Sequence, residues 1–319
     1  MAVFTPITFE DACAFCDDYA HIERVDNLTP IEAGTDNTNY ILAADGKKYI
    51  LTIFEDRIIK SDLAPTFELI DRINDTVIAA PRAYANTQNK IFGEIKGKPA
   101  ALIEFIVGKS VLSPNQEHCR QMGSTLAKMH LATDKQGFNL PHNRLSYETW
   151  IDIYNSCKDK LPTKQAAFIH TIQNTYIENW PDKICGLPMG AIHADVFPDN
   201  VFFSGDTISG VIDFYFSCRD FYIYDLALTV NAWCFDEKGH VIEGCLTSFL
   251  EAYQDIRPLN TVEKKYLTQI SIGAAFRIFV TRLRDIDKKQ EDMVYTAKDP
   301  SPYLNIIKFY HENDIRNAL

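Results

Sequence analysis

Between Ile192 and Tyr215 the chain reads Ile-His-Ala-Asp-Val-Phe-Pro-Asp-Asn-Val-Phe-Phe-Ser-Gly-Asp-Thr-Ile-Ser-Gly-Val-Ile-Asp-Phe-Tyr, and no other stretch restricts the fold as much. Val201 to Ser204 and Thr207 to Ile212 are apolar, β-rich runs separated by Gly205-Asp206, a two-residue turn with Gly first. A hairpin centred there sets Asp213 opposite residue 198, within a diagonal of Asn200. Diagonal cross-strand neighbours lie roughly 7–8 Å apart, so both side chains can reach one metal ion. Asp195 sits just before this hairpin. A carboxylate that accepts a hydroxyl proton, with an amide oxygen and a second carboxylate on a phosphate-bridging magnesium, is the set that phosphoryl transfer requires. Asp195, Asn200 and Asp213 supply those types in that order. An ordinary loop and hairpin would place such residues as turn formers, but not all three in register.

The spacing is that of a kinase catalytic loop, which runs His-Arg-Asp, then Asn five residues after the Asp, then Asp-Phe-Gly. Here His193-Ala194-Asp195, Asn200 and Asp213-Phe214 occupy those places. At 319 residues the chain is expected to form two lobes and can bury about three-quarters of its unfolded surface without disulfide staples. The net charge of −11 argues against nucleic acid or an anionic membrane as partner. No apolar run approaches the roughly 18–20 residues of a membrane span, and Met1 to Glu10 has no signal pattern. Cysteines stand scattered at 13, 16, 119, 157, 185, 218, 234 and 245, and only Cys13 and Cys16 form a C-x-x-C. With no strand before it and no second pair to complete a zinc site, that pair reads as buried free thiols in a reducing cytoplasm.

In chain order, a short helix over Asp11 to Tyr19 precedes strand-like runs at Leu28 to Glu32, Asn39 to Ala44 and Lys48 to Phe54. The last two runs are joined by Asp45-Gly46, a type I′ turn pair. The polar loop Ala33 to Thr38 between the first two can lie over phosphates and donate backbone N–H groups to them. A helix over Ser61 to Asn74 carries Leu63, Phe67, Ile70 and Ile73 on one face. The apolar run Ala100 to Val107 ends at a junction, Gly108 to Ser113. Ser113-Pro114-Asn115-Gln116 reads as a capping box for a helix with Cys119, Met122, Leu126 and Met129 inward. Helices then continue to Trp180, and after the catalytic stretch come Tyr222 to Cys234, Ile242 to Tyr253, Val262 to about Asp285, and one from Pro302. The expected fold is α+β and two-lobed, a small β-rich lobe over 1–107 and a larger helical lobe over 108–319.

The chain resembles bacterial homoserine kinases of the type that shares its fold with choline kinases and aminoglycoside phosphotransferases. The wider resemblance rests on His193-Ala194-Asp195 with Asn200 and on Ile212-Asp213-Phe214. The narrower one rests on Met1 to Pro6, Tyr49-Ile50-Leu51-Thr52, Lys98 to Leu102, His118-Cys119-Arg120, Asp213-Phe214-Tyr215, Tyr224 to Ala227 and Asn231-x-Trp233-Cys234. It covers nearly the whole chain.

That resemblance implies a protein-kinase-like fold and ATP-dependent phosphorylation of the side-chain hydroxyl of L-homoserine. Asp195 would be the base, Asn200 and Asp213 the magnesium ligands, and His193 and Asp225 would brace the loop. The nucleotide is expected against Gly34, Thr35, Asn37, Asn39 and Ile50, with adenine near Ile103, Glu104 and Ile106. Arg277 and Arg282 are the candidates for the substrate carboxylate, Arg being suited to a bidentate fork; Tyr215 and Asn231 would shape the pocket. One departure is plain: where kinases carry a lysine on the third strand, this chain has Thr52, with Arg57 and Lys60 the nearest cations downstream. Two rivals remain on residues alone. Trp233, Phe235, Tyr215 and Tyr222 could box a choline, or an acidic surface could take an aminoglycoside. A catalytically dead binding module would explain Thr52 but not the intact Asp195, Asn200 and Asp213.

Overall fold

The Asp45-Gly46 pair closes the first hairpin as its chemistry dictates, with φ of 51° and 74° at the two turn residues. The structure is a computed structural model and describes residues 4–32, 37–55, 58–134, 137–181, 186–286 and 298–315. After helix α1 (Phe9–Cys16), strands β1 (Val25–Pro30), β2 (Asn37–Ala44), β3 (Lys47–Phe54), β4 (Gly93–Ile95) and β5 (Lys98–Glu104) make one antiparallel sheet. Its order is β1-β2-β3-β5-β4. Register runs Asn39↔Thr52 and Ile41↔Ile50 across the first hairpin, then Ile50↔Ile103 and Thr52↔Ala101 to β5.

Because successive side chains alternate, that register sorts the sheet into two faces. Tyr40, Leu42, Leu51, Ile53, Ala100 and Leu102 pack with Ala12, Phe15 and Tyr19 on the side covered by α1. Asn37, Asn39, Ile50, Thr52, Phe54, Ala101 and Ile103 share the other side. Helix α2 (Lys60–Thr76) covers part of it with Leu63, Phe67, Ile70 and Ile73, each no more than 3% exposed.

Beyond the sheet the chain is largely helical. The elements are α3 (Gln116–Thr133), α4 (Tyr147–Cys157), α5 (Thr163–Ile172), β6 (Met189–Ile192), β7 (Val201–Ser204), β8 (Thr207–Val211), β9 (Cys218–Phe221), α6 (Tyr222–Trp233), α7 (Cys245–Gln254), α8 (Thr261–Asp285) and α9 (Ser301–Glu312). The fold is thus a β-sheet lobe joined to a helical lobe. The α3 cap differs from the expected one. Asn115, not Ser113, accepts from the His118 amide at 2.9 Å while its own N–H donates to His118 Nδ1 at 3.2 Å. An imidazole does here what Glu or Gln does in the common box, so the helix starts after Pro114 rather than at it. Helix α3 lies tightly on α7: a Cβ on Gly123 would come within 2.3 Å of the Phe249 carbonyl oxygen.

The junction is stitched to the hairpin. Lys109 N–H donates to Phe203 O and Phe203 N–H to Lys109 O, at 3.0 and 2.9 Å. Gly108 adopts φ +152°, and a Cβ there would meet Ser209 Oγ at 2.4 Å and Phe203 O at 3.0 Å. The β7–β8 hairpin turns at Gly205-Asp206 but shifts register between Phe202 and Phe203, pairing Phe202 with Gly210 and Phe203 with Ile208. Ser209 is the extra residue of this bulge, and its hydroxyl donates to Val107 O at 2.7 Å. Cys13 and Cys16 are free thiols on α1, Cys16 buried and its thiol pushed up to about 12 by that burial. Among the described residues no helix is long and apolar enough to cross a membrane.

Candidate active site

Strand β6 leads directly into His193-Ala194-Asp195, whose middle residue, Ala194, is left-handed at φ +65°. A non-glycine residue in that region costs roughly 1–2 kcal/mol, so something must hold it there. Two groups do. Asp225 of α6 accepts the Ala194 N–H at 2.8 Å and the His193 N–H at 3.1 Å, while Arg277 of α8 donates from Nη1 to the Ala194 carbonyl at 3.2 Å. Burial works to raise the Asp225 carboxyl, but the hydrogen bonds it accepts from His130 and from the Ala194 amide outweigh it and hold it below the ordinary value. Asp225 is 0% exposed, so this carboxylate exists to accept those donors.

A buried polar chain stands behind Asp225. Arg257 Nη1 donates to Glu263 Oε1 at 2.9 Å and to Tyr253 OH at 3.2 Å. The Tyr253 hydroxyl donates on to His130 Nδ1 at 2.7 Å, and His130 Nε2 donates to Asp225 Oδ2 at 3.0 Å. Burial depresses the His130 imidazole, so it is neutral with its proton on Nε2. Nothing local to the His193 stretch signals these four residues. The Asn260-x-x-Glu263 cap and the Tyr253/Arg257 spacing are visible in sequence, but only packing aims them at α3.

Asp213 is also left-handed, at φ 65° and ψ 55°. The bulge at Ser209 moves it one residue from its expected partner: continuing the Val201↔Val211 register sets it opposite residue 199, closer to Asn200 than the simple hairpin allowed. Two bonds tie the segments together. Ile212 N–H donates to Asn200 O at 2.9 Å, and His193 Nε2 donates to Ile212 O at 3.1 Å. His193 Nδ1 meanwhile accepts the Asp195 N–H at 3.2 Å, so its tautomer is set, and burial keeps the ring neutral. The Asn200 amide donates to Asp195 O at 2.9 Å and Asp195 Oδ2 at 3.2 Å. This turns the amide oxygen of Asn200 away from Asp195, where it can face a cation. Asp195, Asn200 and Asp213 are therefore brought together at the hairpin mouth.

On the sheet, Asn37, Asn39, Ile50 and Ile103 share the face that carries Thr52, and Ile106 follows at the end of β5. Gly34 and Thr35, like Arg57, lie outside the described residues. Lys60, the other cation considered downstream of β3, is exposed at the start of α2. At Glu104 the N–H donates to Arg82 O at 2.8 Å, because residues 82–84 pair with β5 beyond the end of β4, so of its two backbone groups the amide is taken. Thr52 donates to Asn39 Oδ1 at 2.7 Å. Tyr215 also departs from its expected place. Rather than lining a substrate pocket it packs edge-on against Phe54 and Phe67, with its phenol beside Thr52 and Asp213. Burial pushes that phenol far up. Where kinases carry a third-strand lysine, the chain has Thr52, with Asn39 and the Tyr215 phenol beside it. Lys98 is paired with Glu55 by the register of β3 and β5, on the face toward α1, and is not a substitute.

Asn231 is a second correction. Its amide donates to Ser271 O at 3.1 Å and accepts from Tyr310 OH at 2.8 Å, so it joins α6, α8 and α9 in the core. Helix α6 buries all its residues but Ala232, which leaves no face for a pocket. The two arginines separate. Arg282 donates to Asp299 O at 3.0 Å and lies 4.6 Å over the Tyr303 ring. Arg277 is 7% exposed and its Nε has no hydrogen-bond partner among the described residues. Tyr303, absent from the sequence reading, is buried beneath Arg282; burial pushes its phenol up to about 12, and Arg282, Arg277 and Asp195 all act on it.

The sequence matches the phosphotransferase enzyme family over residues 27–259. It is 36% identical to a homoserine kinase of Rhizobium etli over 318 residues, 98% of this chain and 97% of that protein. A homoserine kinase of Parvibaculum lavamentivorans is 35% identical, covering 97% and 96%. Among solved structures, a microcompartment-associated aminopropanol kinase superposes with a TM-score of 0.72 at 15% identity, covering 96% of this chain and 97% of that one. A spectinomycin phosphotransferase, solved with ADP and spectinomycin, gives 0.70 at 16% identity, covering 97% and 100%. At such identities the two structures speak to the fold alone.

Proposed function

The chain belongs to the phosphotransferase enzyme family, among its homoserine kinases, and from that premise we propose how its residues divide the work. The reaction is ATP-dependent phosphorylation of the L-homoserine side-chain hydroxyl, giving O-phospho-L-homoserine and ADP. Asp195 accepts the hydroxyl proton through the carboxylate oxygen not engaged by Asn200, as the hydroxyl oxygen bonds to the γ-phosphorus and the bridge to ADP breaks. His193 and Asp225 hold the loop that presents Asp195. Residues 1–107 would carry the nucleotide on Asn37, Asn39, Ile50, Ile103 and Ile106, and residues 108–319 the acceptor. Arg277 would take the substrate carboxylate through its unpartnered edge.

Asn200 and Asp213 present an amide oxygen and a carboxylate, hard oxygen donors of the kind magnesium accepts alongside substrate phosphates. Bound there, magnesium would neutralise charge developing on the transferred group. The observation that carries the reading is the pair of bonds from Ile212, to Asn200 O and from His193 Nε2, which locks the Asp195 loop against the Asp213 segment.

The test is ADP release by the purified chain with L-homoserine, choline and an aminoglycoside, with magnesium and after chelation. Turnover of homoserine that stops on chelation is expected. Asp195→Asn is expected to lower kcat by at least about a hundredfold, the loss of one positioned base. Phosphorylation of choline with none of homoserine would refute the substrate, and an unchanged kcat in Asp195→Asn would remove that residue from the mechanism.

A further inference from the structure

Helix α8 reaches the catalytic loop twice. Arg277, in its second half, donates to the Ala194 carbonyl at 3.2 Å. At its start the capping box holds Glu263: Oε2 accepts the Asn260 N–H at 2.9 Å, and Oε1 accepts from Arg257 Nη1 at 2.9 Å. From Arg257 the bonds run through Tyr253, His130 and Asp225 to the Ala194 N–H, with no link longer than 3.2 Å. Both polar groups of Ala194 are therefore tied to one helix, its carbonyl directly and its N–H through a chain of side chains. Every member of that chain is buried, Arg257 being the most exposed at 8%. It is packed sideways as well. The Arg257 guanidinium lies 4.8 Å over the Tyr222 ring, and that ring lies 4.8 Å from His130.

The chemistry of the two ends fixes where each proton lies. A guanidinium can only donate, so the Tyr253 oxygen accepts from Arg257. An ionised carboxylate can only accept, so His130 presents an Nε2 proton to Asp225. The Tyr253 hydroxyl has one proton to give. Among the described residues its other polar neighbour is His130 Nδ1, 2.7 Å away, which takes that proton. If Nδ1 carried a proton of its own, the Tyr253 oxygen would face two donors. Its hydroxyl proton would then be stranded in the core without an acceptor, which is costly where water cannot reach. Arg257 thus keeps the ring a neutral, one-way donor and leaves the Asp225 charge to the amides of residues 193 and 194.

We propose that Arg257 is a positioning residue for Asp195, acting through Tyr253, His130 and Asp225. This rests on Asp195 as the base of the assigned reaction. Neither Arg257 nor Tyr253 bonds to the loop itself; they decide how firmly Asp225 grips it.

Tyr253→Phe removes the hydroxyl that joins Arg257 to His130 and leaves the Arg257–Glu263 pair standing. Its kcat for ADP release with L-homoserine is expected to fall about tenfold, the size of one net hydrogen bond. The KM values for ATP and homoserine should stay within about threefold. Arg257→Met should lose a similar factor, and Arg257→Lys, which keeps a donor and a charge, should stay within about threefold of the unmutated chain. A double-mutant cycle separates this role from general support of the fold. In an Asp225→Asn background, where the chain has already lost its end, Tyr253→Phe should lower kcat by less than about twofold. Equal losses in both backgrounds, or an unchanged kcat in a folded Tyr253→Phe variant, would overturn the proposal. Nitrogen-15 spectra of the histidine-labelled, unmutated chain near neutral pH give a check that needs no variant. His130 should show Nε2 protonated and Nδ1 bare, and the opposite tautomer or an imidazolium would also overturn it. An unmutated chain with no activity on homoserine, or an unchanged kcat in Asp195→Asn, would instead refute the reading on which the proposal rests.

Discussion

Replacing Asp225 by Asn separates positioning of the catalytic loop from its chemistry, because Asp225 touches only the backbone of residues 193 and 194 and His130. An amide has one acceptor edge. If its oxygen keeps the Ala194 N–H, its NH2 confronts both the His193 N–H and His130 Nε2; turned over, it confronts the Ala194 N–H alone. Even in the milder orientation one buried N–H loses its acceptor, at about 1–3 kcal/mol, and the surviving bonds lose their charge assistance, about 1 kcal/mol more. The sum, about 2–4 kcal/mol, comes out of holding Ala194 in its left-handed conformation. If the loop relaxes by that amount, kcat should fall by about a hundredfold at saturating substrates. The sheet does not touch Asp225, so the KM for ATP should stay within about threefold. Steady-state ADP release with a parallel denaturation curve measures both. A folded Asp225→Asn variant with kcat within threefold of the unmutated chain would refute the view that this carboxylate holds Asp195 in place.

Other outcomes follow from burial and packing. His130 and His193 are depressed by burial, so the unfolded chain takes up protons first, near the ordinary value of about 6.5. Stability should thus be full above about pH 7 and fall below about 6.5, by at most roughly 1.4 kcal/mol per pH unit for each histidine. Asp225, held low, adds its loss only below about pH 4. Denaturation midpoints between pH 5 and 8 would check this, and a flat profile would contradict it. Gly123→Ala should cost about 1–3 kcal/mol, because the new methyl meets the Phe249 backbone at 2.3 Å and α3 and α7 must part. A melting temperature equal to that of the unmutated chain would show that the two helices yield freely.

What could be read from the residues was whatever depends on near neighbours. Asp45-Gly46 demanded a tight turn because both residues tolerate positive φ, and the alternation of Tyr40, Leu42, Leu51 and Ile53 then followed from the pleat. The apolar spacing in α2 and α3 named their buried faces correctly. The order Asp195, Asn200, Asp213 about a two-residue turn was enough to expect those three side chains in one place. Short-range sterics and periodicity carry all of this, and they are properties of the chain itself.

The misplacements share a different cause. One bulged residue, Ser209, shifted the hairpin register, and it is held by a bond to Val107 about a hundred positions away. Asn231 looked like a pocket residue until α8 and α9 closed over a helix buried on nearly every side. Tyr215 turned toward Phe54 and Phe67 because the two lobes meet there. Arg277 and Arg282 lie five residues apart on one helix, yet one reaches the Ala194 carbonyl and the other rests on Tyr303. The sequence alone determined the reacting groups and the turns that gather them. Tertiary structure decided which distant side chains restrain those groups, since a buried polar atom must find a partner wherever packing brings one within about 3 Å, however far off in the chain that partner lies.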